Sequence, residues 1–125
     1  MSTTQVRVAG AGLLLVVIFL SGLWVSRLGK PYSTLPFTIH KLAGLAVGVL
    51  LAVIVYQSHK VAPLGAAGIA AIVVTVLCFI GIVVAGGFLS IAKEAPAVVL
   101  RLHQIIPVLT VVSTAGMLYL LLRGT

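Results

Sequence analysis

The chain falls into four long, mostly apolar runs, and the whole of it holds a single acidic residue, Glu94. A helix that crosses the hydrocarbon core of a bilayer needs about 20 such residues. Inside lipid every backbone N–H and C=O must be satisfied within the segment, so runs of this kind must be helices rather than lipid-exposed loops. They are predicted at about 6–27, 35–59, 64–89 and 97–122, one four-helix domain filling residues 1–125. Hydrophobic residues make up 62% of the chain and charged residues 7%, against roughly half and a quarter in soluble domains. An ordinary globular protein is excluded.

The connections are short. Leu28-Gly29-Lys30-Pro31-Tyr32-Ser33, Pro63-Leu64-Gly65 and Lys93-Glu94-Ala95-Pro96 are all rich in turn-forming residues. Ser33 or Thr34 is expected to cap the second helix, with Pro36 tolerated in its first turn. Loops this short force neighbouring helices to be antiparallel, so the predicted fold is all-α, an integral membrane up-down-up-down four-helix bundle. The first run is too long for a signal-peptide core and no small-residue cleavage site follows it, so it is expected to be retained. No convincing internal sequence repeat is visible. Helices two and four nonetheless share a plan, with proline at the start, histidine within two turns and a basic residue close by.

The formal net charge is +7, which in a soluble protein would suggest nucleic acid. Here the basic residues sit in short loops and at span ends, where they orient helices and meet anionic lipid headgroups. Membrane lipid, not nucleic acid, is the expected partner. Arg27, Lys30, Lys41, Lys93 and Arg101 fall on one side, and Arg7, Lys60 and Arg123 on the other. The excess predicts that the first side faces the cytoplasm and both termini lie outside, in a prokaryotic inner membrane. Cys78 is the only cysteine, so no disulfide forms within the chain. There is no C-x-x-C-H for covalent c-type haem and no zinc-cluster spacing.

An ionisable residue within a span is costly and is a functional candidate by default. The candidates are His40, Lys41, Arg101 and His103. His40 follows Pro36 by four residues and His103 follows Pro96 by seven, which gives depths of about 6 and 10 Å at 1.5 Å per residue. Helices two and four run the same way, so both histidines are expected near one membrane face. In a bundle with sequential loops these helices are diagonal, and two inward imidazoles would approach from opposite sides. That arrangement suits a flat macrocycle whose iron takes one histidine on each face.

The neighbouring residues fit the same expectation. Gly44 and Gly48 follow His40 along one face, and Gly22, Ser26, Gly86 and Gly87 lie at about the same level. These small residues are predicted to give the macrocycle room, although glycine in membrane helices also marks close helix packing. Pro107, Thr110 and Thr114 follow His103, and Pro107 is expected to free a carbonyl and bend its helix. Lys41 and Arg101 are candidate partners for the two haem propionates, where their charge would favour reduced iron. Snorkelling to the headgroups is the alternative for both. His59 and the aromatic residues Trp24, Tyr32, Tyr56 and Tyr119 are read as interfacial.

With Thr38-Ile39-His40-Lys41-Leu42-Ala43-Gly44 on one helix and Arg101-Leu102-His103-Gln104 on the diagonal one, the chain resembles the four-helix membrane b-type cytochromes. That group includes transmembrane ascorbate-linked cytochromes and the haem-bearing anchor subunits of succinate dehydrogenase. The resemblance covers the bundle plan and these segments, not the full length. It implies one non-covalent haem b, one-electron transfer and a quinone or redox-protein partner in the membrane. A homo-oligomer or a place in a larger complex would fit the small extramembrane surface. Only His40 and His103 match the ligand positions. The second histidine pair of two-haem members is missing, which puts electron transfer across the whole membrane in doubt.

Two other classes compete. A small cation-coupled exporter needs a membrane-embedded carboxylate, and Glu94 lies in a loop before Pro96. A channel passing anions beside Lys41 and Arg101, or a structural subunit without haem, explains the small residues but not the matched histidines. No Ser/His/Asp or metal-hydrolase constellation is present, so a free-standing hydrolase is not expected.

Overall fold

The computed structural model describes residues 2–92, 94 and 96–123. Lys93 and Ala95 of the third connection lie outside the described residues. Four helices follow one another: α1 (Thr3–Leu28), α2 (Thr34–Val61), α3 (Ala66–Ile91) and α4 (Ala97–Arg123). Each is long and apolar enough to cross a membrane. The all-helical class is therefore as the sequence predicts, and the architecture is compatible with a membrane protein.

The helix bounds differ from the sequence expectation by three residues at the start of α1 and by two at the start of α3 and at the ends of α2 and α3. In α1, Ser2 Oγ accepts from the Gln5 N–H at 3.1 Å and Gln5 Oε1 accepts from the Ser2 N–H at 2.9 Å. This reciprocal capping box satisfies two backbone donors and starts the helix at Thr3, three residues before the apolar run. In α3 the turn Pro63-Leu64-Gly65 stays outside the helix, and Gly65 is its cap. Thr34 is already helical, and the carbonyl of Ser33 before it accepts from the Phe37 N–H at 3.2 Å. Pro107 lies inside α4, which runs unbroken through it.

α1 ends at Gly29, whose φ is +69° and ψ −172° and whose N–H donates to the Val25 carbonyl at 3.1 Å. That backbone region is essentially restricted to glycine. Gly29→Ala is expected to cost about 1–3 kcal/mol, read as a lowered melting temperature in detergent with the helical circular dichroism otherwise unchanged.

The chain divides into two compact units, Met1–Gln57 and Ser58–Thr125. In the first, α1 and α2 are antiparallel: Gly10 lies 3.6 Å (from an ideal Cβ) from the Leu50 side chain, while Gly22, a little over three turns further on, meets His40 near the start of α2. In the second, α3 packs antiparallel on α4, with Gly68 near Leu121, Gly81 near Ile106 and Gly86 near His103. Glycine lets the partner side chains come this close, which is how helices associate where lipid removes the hydrophobic drive between them.

The two units repeat one design, contrary to the expectation of no internal repeat. Buried Val47, Leu51, Ile54 and Ser58 on α2 correspond to buried Thr110, Thr114, Met117 and Leu121 on α4, each 63 positions later. His40 and His103, Tyr56 and Tyr119, and Lys60 and Arg123 keep the same offset. On the other helix of each pair the offset is 64, pairing buried Ala11 and Ser21 with buried Thr75 and Ala85, and Ile18 and Gly22 with Ile82 and Gly86. The buried residues recur every three or four positions, so each set lines one helix face.

At most 22% of the apolar window of any helix is buried, and large residues such as Leu13, Leu45, Val83 and Val112 are more than half exposed. Soluble monomers seldom expose contiguous apolar patches beyond a few hundred Å². Lipid is the surround that suits these faces.

Candidate functional site

His40 is placed by the first turns of α2 against the last third of α1. Its Nδ1 lies 3.1 Å from the carbonyl oxygen of Ile18 and 3.2 Å from Ser21 Oγ, and Ser21 Oγ lies 3.1 Å from the same carbonyl. The ring is half-buried. Gly22 gives it space: a Cβ there would stand 3.1 Å from the imidazole Cε1.

His103 is placed in the same way by α4 against α3. Its Nδ1 lies 3.2 Å from the carbonyl oxygen of Ile82. A Cβ at Gly86 would stand 2.8 Å from its Cε1, closer than real Cβ contacts allow. Gly22 and Gly86 thus make room for the histidine ring of their own unit, a more specific role than the space for a macrocycle that the sequence suggested.

Chemistry follows from the acceptor. A carbonyl oxygen only accepts hydrogen bonds, so each of these Nδ1 atoms bears the proton and donates it. A neutral imidazole protonated at Nδ1 carries its lone pair on Nε2. Metal-binding histidines are commonly set up in this manner, with the second ring N–H held by a backbone carbonyl or carboxylate that fixes the tautomer and ring plane and raises ligand basicity. Both histidines of this chain have that support. The sequence pointed to the histidines but not to the carbonyls of Ile18 and Ile82, or to Ser21, which carry the geometry.

The remaining candidates are scattered. Lys41 is exposed, with Nζ 5.0 Å from the centroid of the Phe37 ring, one turn back. Phe37 also stacks on Tyr32 at 5.4 Å, and Lys30 Nζ lies 5.6 Å from the Tyr32 centroid. Lys41 therefore belongs to a cation–aromatic cluster at one end of the first unit. Arg101 is exposed on α4. A Cβ at Gly44, Gly48 or Gly87 would meet nothing within 4 Å, so none of the three is needed for a close approach within its own hairpin.

The second unit carries hydroxyls where the first is apolar. Thr75 Oγ1 lies 2.6 Å from Ser113 Oγ and donates to the Ala71 carbonyl, and Thr110 donates to the Ile106 carbonyl. The buried Thr114 Oγ1 has no hydrogen-bond partner. Their counterparts in the first unit are Ala11, Leu50, Val47 and Leu51.

Among the described residues there is no group of three or more His, Cys, Asp or Glu able to hold a metal ion, and a haem needs only two axial ligands. No known protein family, curated protein or solved structure matches the chain.

Proposed function

We propose that the chain is a membrane b-type cytochrome that binds one haem b non-covalently, with His40 and His103 as the two axial ligands. The observation that carries this reading is the repeated histidine dock: in each unit the Nδ1–H is donated to a carbonyl one helix away, and a glycine admits the ring. A histidine retained merely as an interfacial polar residue does not require that the same tautomer be fixed twice. Interhelical hydrogen bonds inside membranes contribute only about 0.6 kcal/mol on average. Helix association alone is therefore a weak reason to keep two half-buried polar docks of the same form.

The residues present fit the group. The chain supplies two imidazoles whose Nδ1–H is donated to a backbone carbonyl, so that Nε2 of each ring is the atom that would ligate iron. When bound, haem supplies a one-electron couple; the protein sets its potential through ligand basicity, burial and nearby charge. Lys41 and Arg101, close in sequence to the two ligands, are the cations that would meet propionates. The counterpart in exchange would be a quinone or a membrane redox protein, because the short loops leave little surface for a soluble one.

Were the four helices to cross in alternation, each hairpin would begin and end on the same side of the membrane, and both histidines would be expected near one face. With Lys41 and Arg101 given to the propionates, Arg27, Lys30 and Lys93 on one side balance Arg7, Lys60 and Arg123 on the other, so the positive-inside rule favours neither orientation. Counting Lys41 and Arg101 as headgroup cations instead would put the histidine end in the cytoplasm of a prokaryotic cell and both termini outside. Haem content of the detergent-purified chain tests the reading. One haem per chain is expected, lost on acid–acetone extraction because no covalent attachment exists. A chain saturated with free haem that retains none would contradict it.

A further inference from the structure

His40 and His103 occupy equivalent places in the two hairpins, yet the neighbours of their Nδ1 atoms differ: a serine hydroxyl lies beside the first. Ser21 Oγ, His40 Nδ1 and the Ile18 carbonyl oxygen form a triangle with sides of 3.2, 3.1 and 3.1 Å. Ser21 is 4% exposed, so its hydroxyl is shielded from water and must find its partner here. The carbonyl cannot donate, and it is a better acceptor than a hydroxyl. Two hydrogens, one on Ser21 Oγ and one on His40 Nδ1, therefore converge on a single oxygen. In the second hairpin Ala85 stands at the position of Ser21, and the Ile82 carbonyl receives the His103 Nδ1–H at 3.2 Å with no serine beside it.

We infer that Ser21 is a positioning residue that makes His40 the weaker donor of the two ligands. The inference rests on the haem reading above and deepens it. Both carbonyls lie within helices and already accept an intrahelical N–H, so the Ser21 hydroxyl is an additional donor on the Ile18 oxygen, and each added donor leaves the carbonyl a weaker acceptor for the others. An imidazole whose Nδ1–H is more strongly held carries more negative charge on Nε2 and is a more basic metal ligand, which favours the oxidised iron. His103 therefore acts as the stronger donor, and the duplicated design yields two inequivalent ligands by a single hydroxyl.

The two hairpins provide opposite tests. Ser21→Ala removes the competing hydroxyl from the Ile18 carbonyl and is expected to lower the midpoint potential of the haem-loaded protein. Ala85→Ser places a second donor on the Ile82 carbonyl and is expected to raise it. Ser21→Thr keeps the hydroxyl and should leave the potential near that of the parent chain. A readout independent of haem is the ¹⁵N spectrum of histidine-labelled protein before haem is added. Both rings are expected in the Nδ1–H form, and Ser21→Ala should move the His40 signals while leaving those of His103 in place. A chain that binds haem but whose potential is unmoved by Ser21→Ala, or moves the same way in Ser21→Ala and Ala85→Ser, overturns this inference alone. A chain that takes up no haem overturns the ligand reading and this inference with it.

Discussion

Replacing His40 or His103 by alanine, in separate variants, is expected to abolish the six-coordinate low-spin haem spectrum and to strip haem from the purified protein. Losing an outer partner of a metal ligand typically costs about 10–100-fold in affinity, and losing the ligand itself should exceed that. The fold should survive, because interhelical hydrogen bonds of the kind each substitution removes contribute on the order of 0.6 kcal/mol apiece in membranes, and helical circular dichroism would confirm it. His103→Met offers a second check that does not depend on an empty position. A thioether can still ligate iron, and His/Met ligation raises the potential relative to a histidine pair, so that variant should keep some haem at a higher potential. Normal low-spin haem in both alanine variants would eliminate these two residues as the ligands.

The next largest effect is expected at Gly86. A methyl group there would stand 2.8 Å from the His103 Cε1, whereas at Gly22 the corresponding distance to His40 is 3.1 Å and at Gly87 nothing lies within 4 Å. Overpacking a filled site costs about 1–3 kcal/mol, and here the atom displaced belongs to a ring held by the Ile82 carbonyl. Gly86→Ala should therefore break the His103 dock and lower haem retention, Gly22→Ala should do so less, and Gly87→Ala should leave both stability and haem unchanged or gain the small helix-propensity advantage of alanine over glycine, up to about 1 kcal/mol. Thermal unfolding in detergent together with the haem-to-protein absorbance ratio would rank the three. Equal effects at Gly86 and Gly87 would show that these glycines serve helix propensity or lipid contact rather than the histidine.

What the sequence disclosed and what it hid divide along physical lines. Helix number and the helical class follow from hydropathy and the paucity of charge, because long uncharged apolar runs admit so few alternatives. Helix starts were less legible: Ser2 and Gln5 form a capping box that lies before the apolar run and contributes nothing to it. The histidines stood out as ionisable groups inside apolar segments. Their docks did not, since the partners are backbone carbonyls and a carbonyl has no sequence signature. The repeat was obscured because a buried face demands volume and not identity, so Leu51 corresponds to Thr114 and Ser58 to Leu121. The offset also slips from 64 to 63 between the two helices of the unit, which defeats a search at one fixed period. Aligning the chain on its two histidines reveals it, for Tyr56 then meets Tyr119 and Lys60 meets Arg123.

The repeat also locates where the two units have diverged. Thr75, Thr110, Ser113 and Thr114 replace four apolar residues, and Ala85 replaces Ser21. The first unit thus concentrates its polar contacts at the histidine, while the second adds hydroxyls at a distance from it. Such differences set apart two sites built on one plan, and they are the places where substitution between the units is most informative.

The most direct measurement is the visible absorption spectrum of the detergent-purified protein, expressed with ample haem, first oxidised and then reduced with dithionite. A sharp reduced α-band with a shifted Soret peak, at one haem per chain, is the result expected of bis-histidine ligation by His40 and His103. A spectrum with no haem absorbance in either state would contradict it, leaving the two histidine docks as packing devices of the paired hairpins.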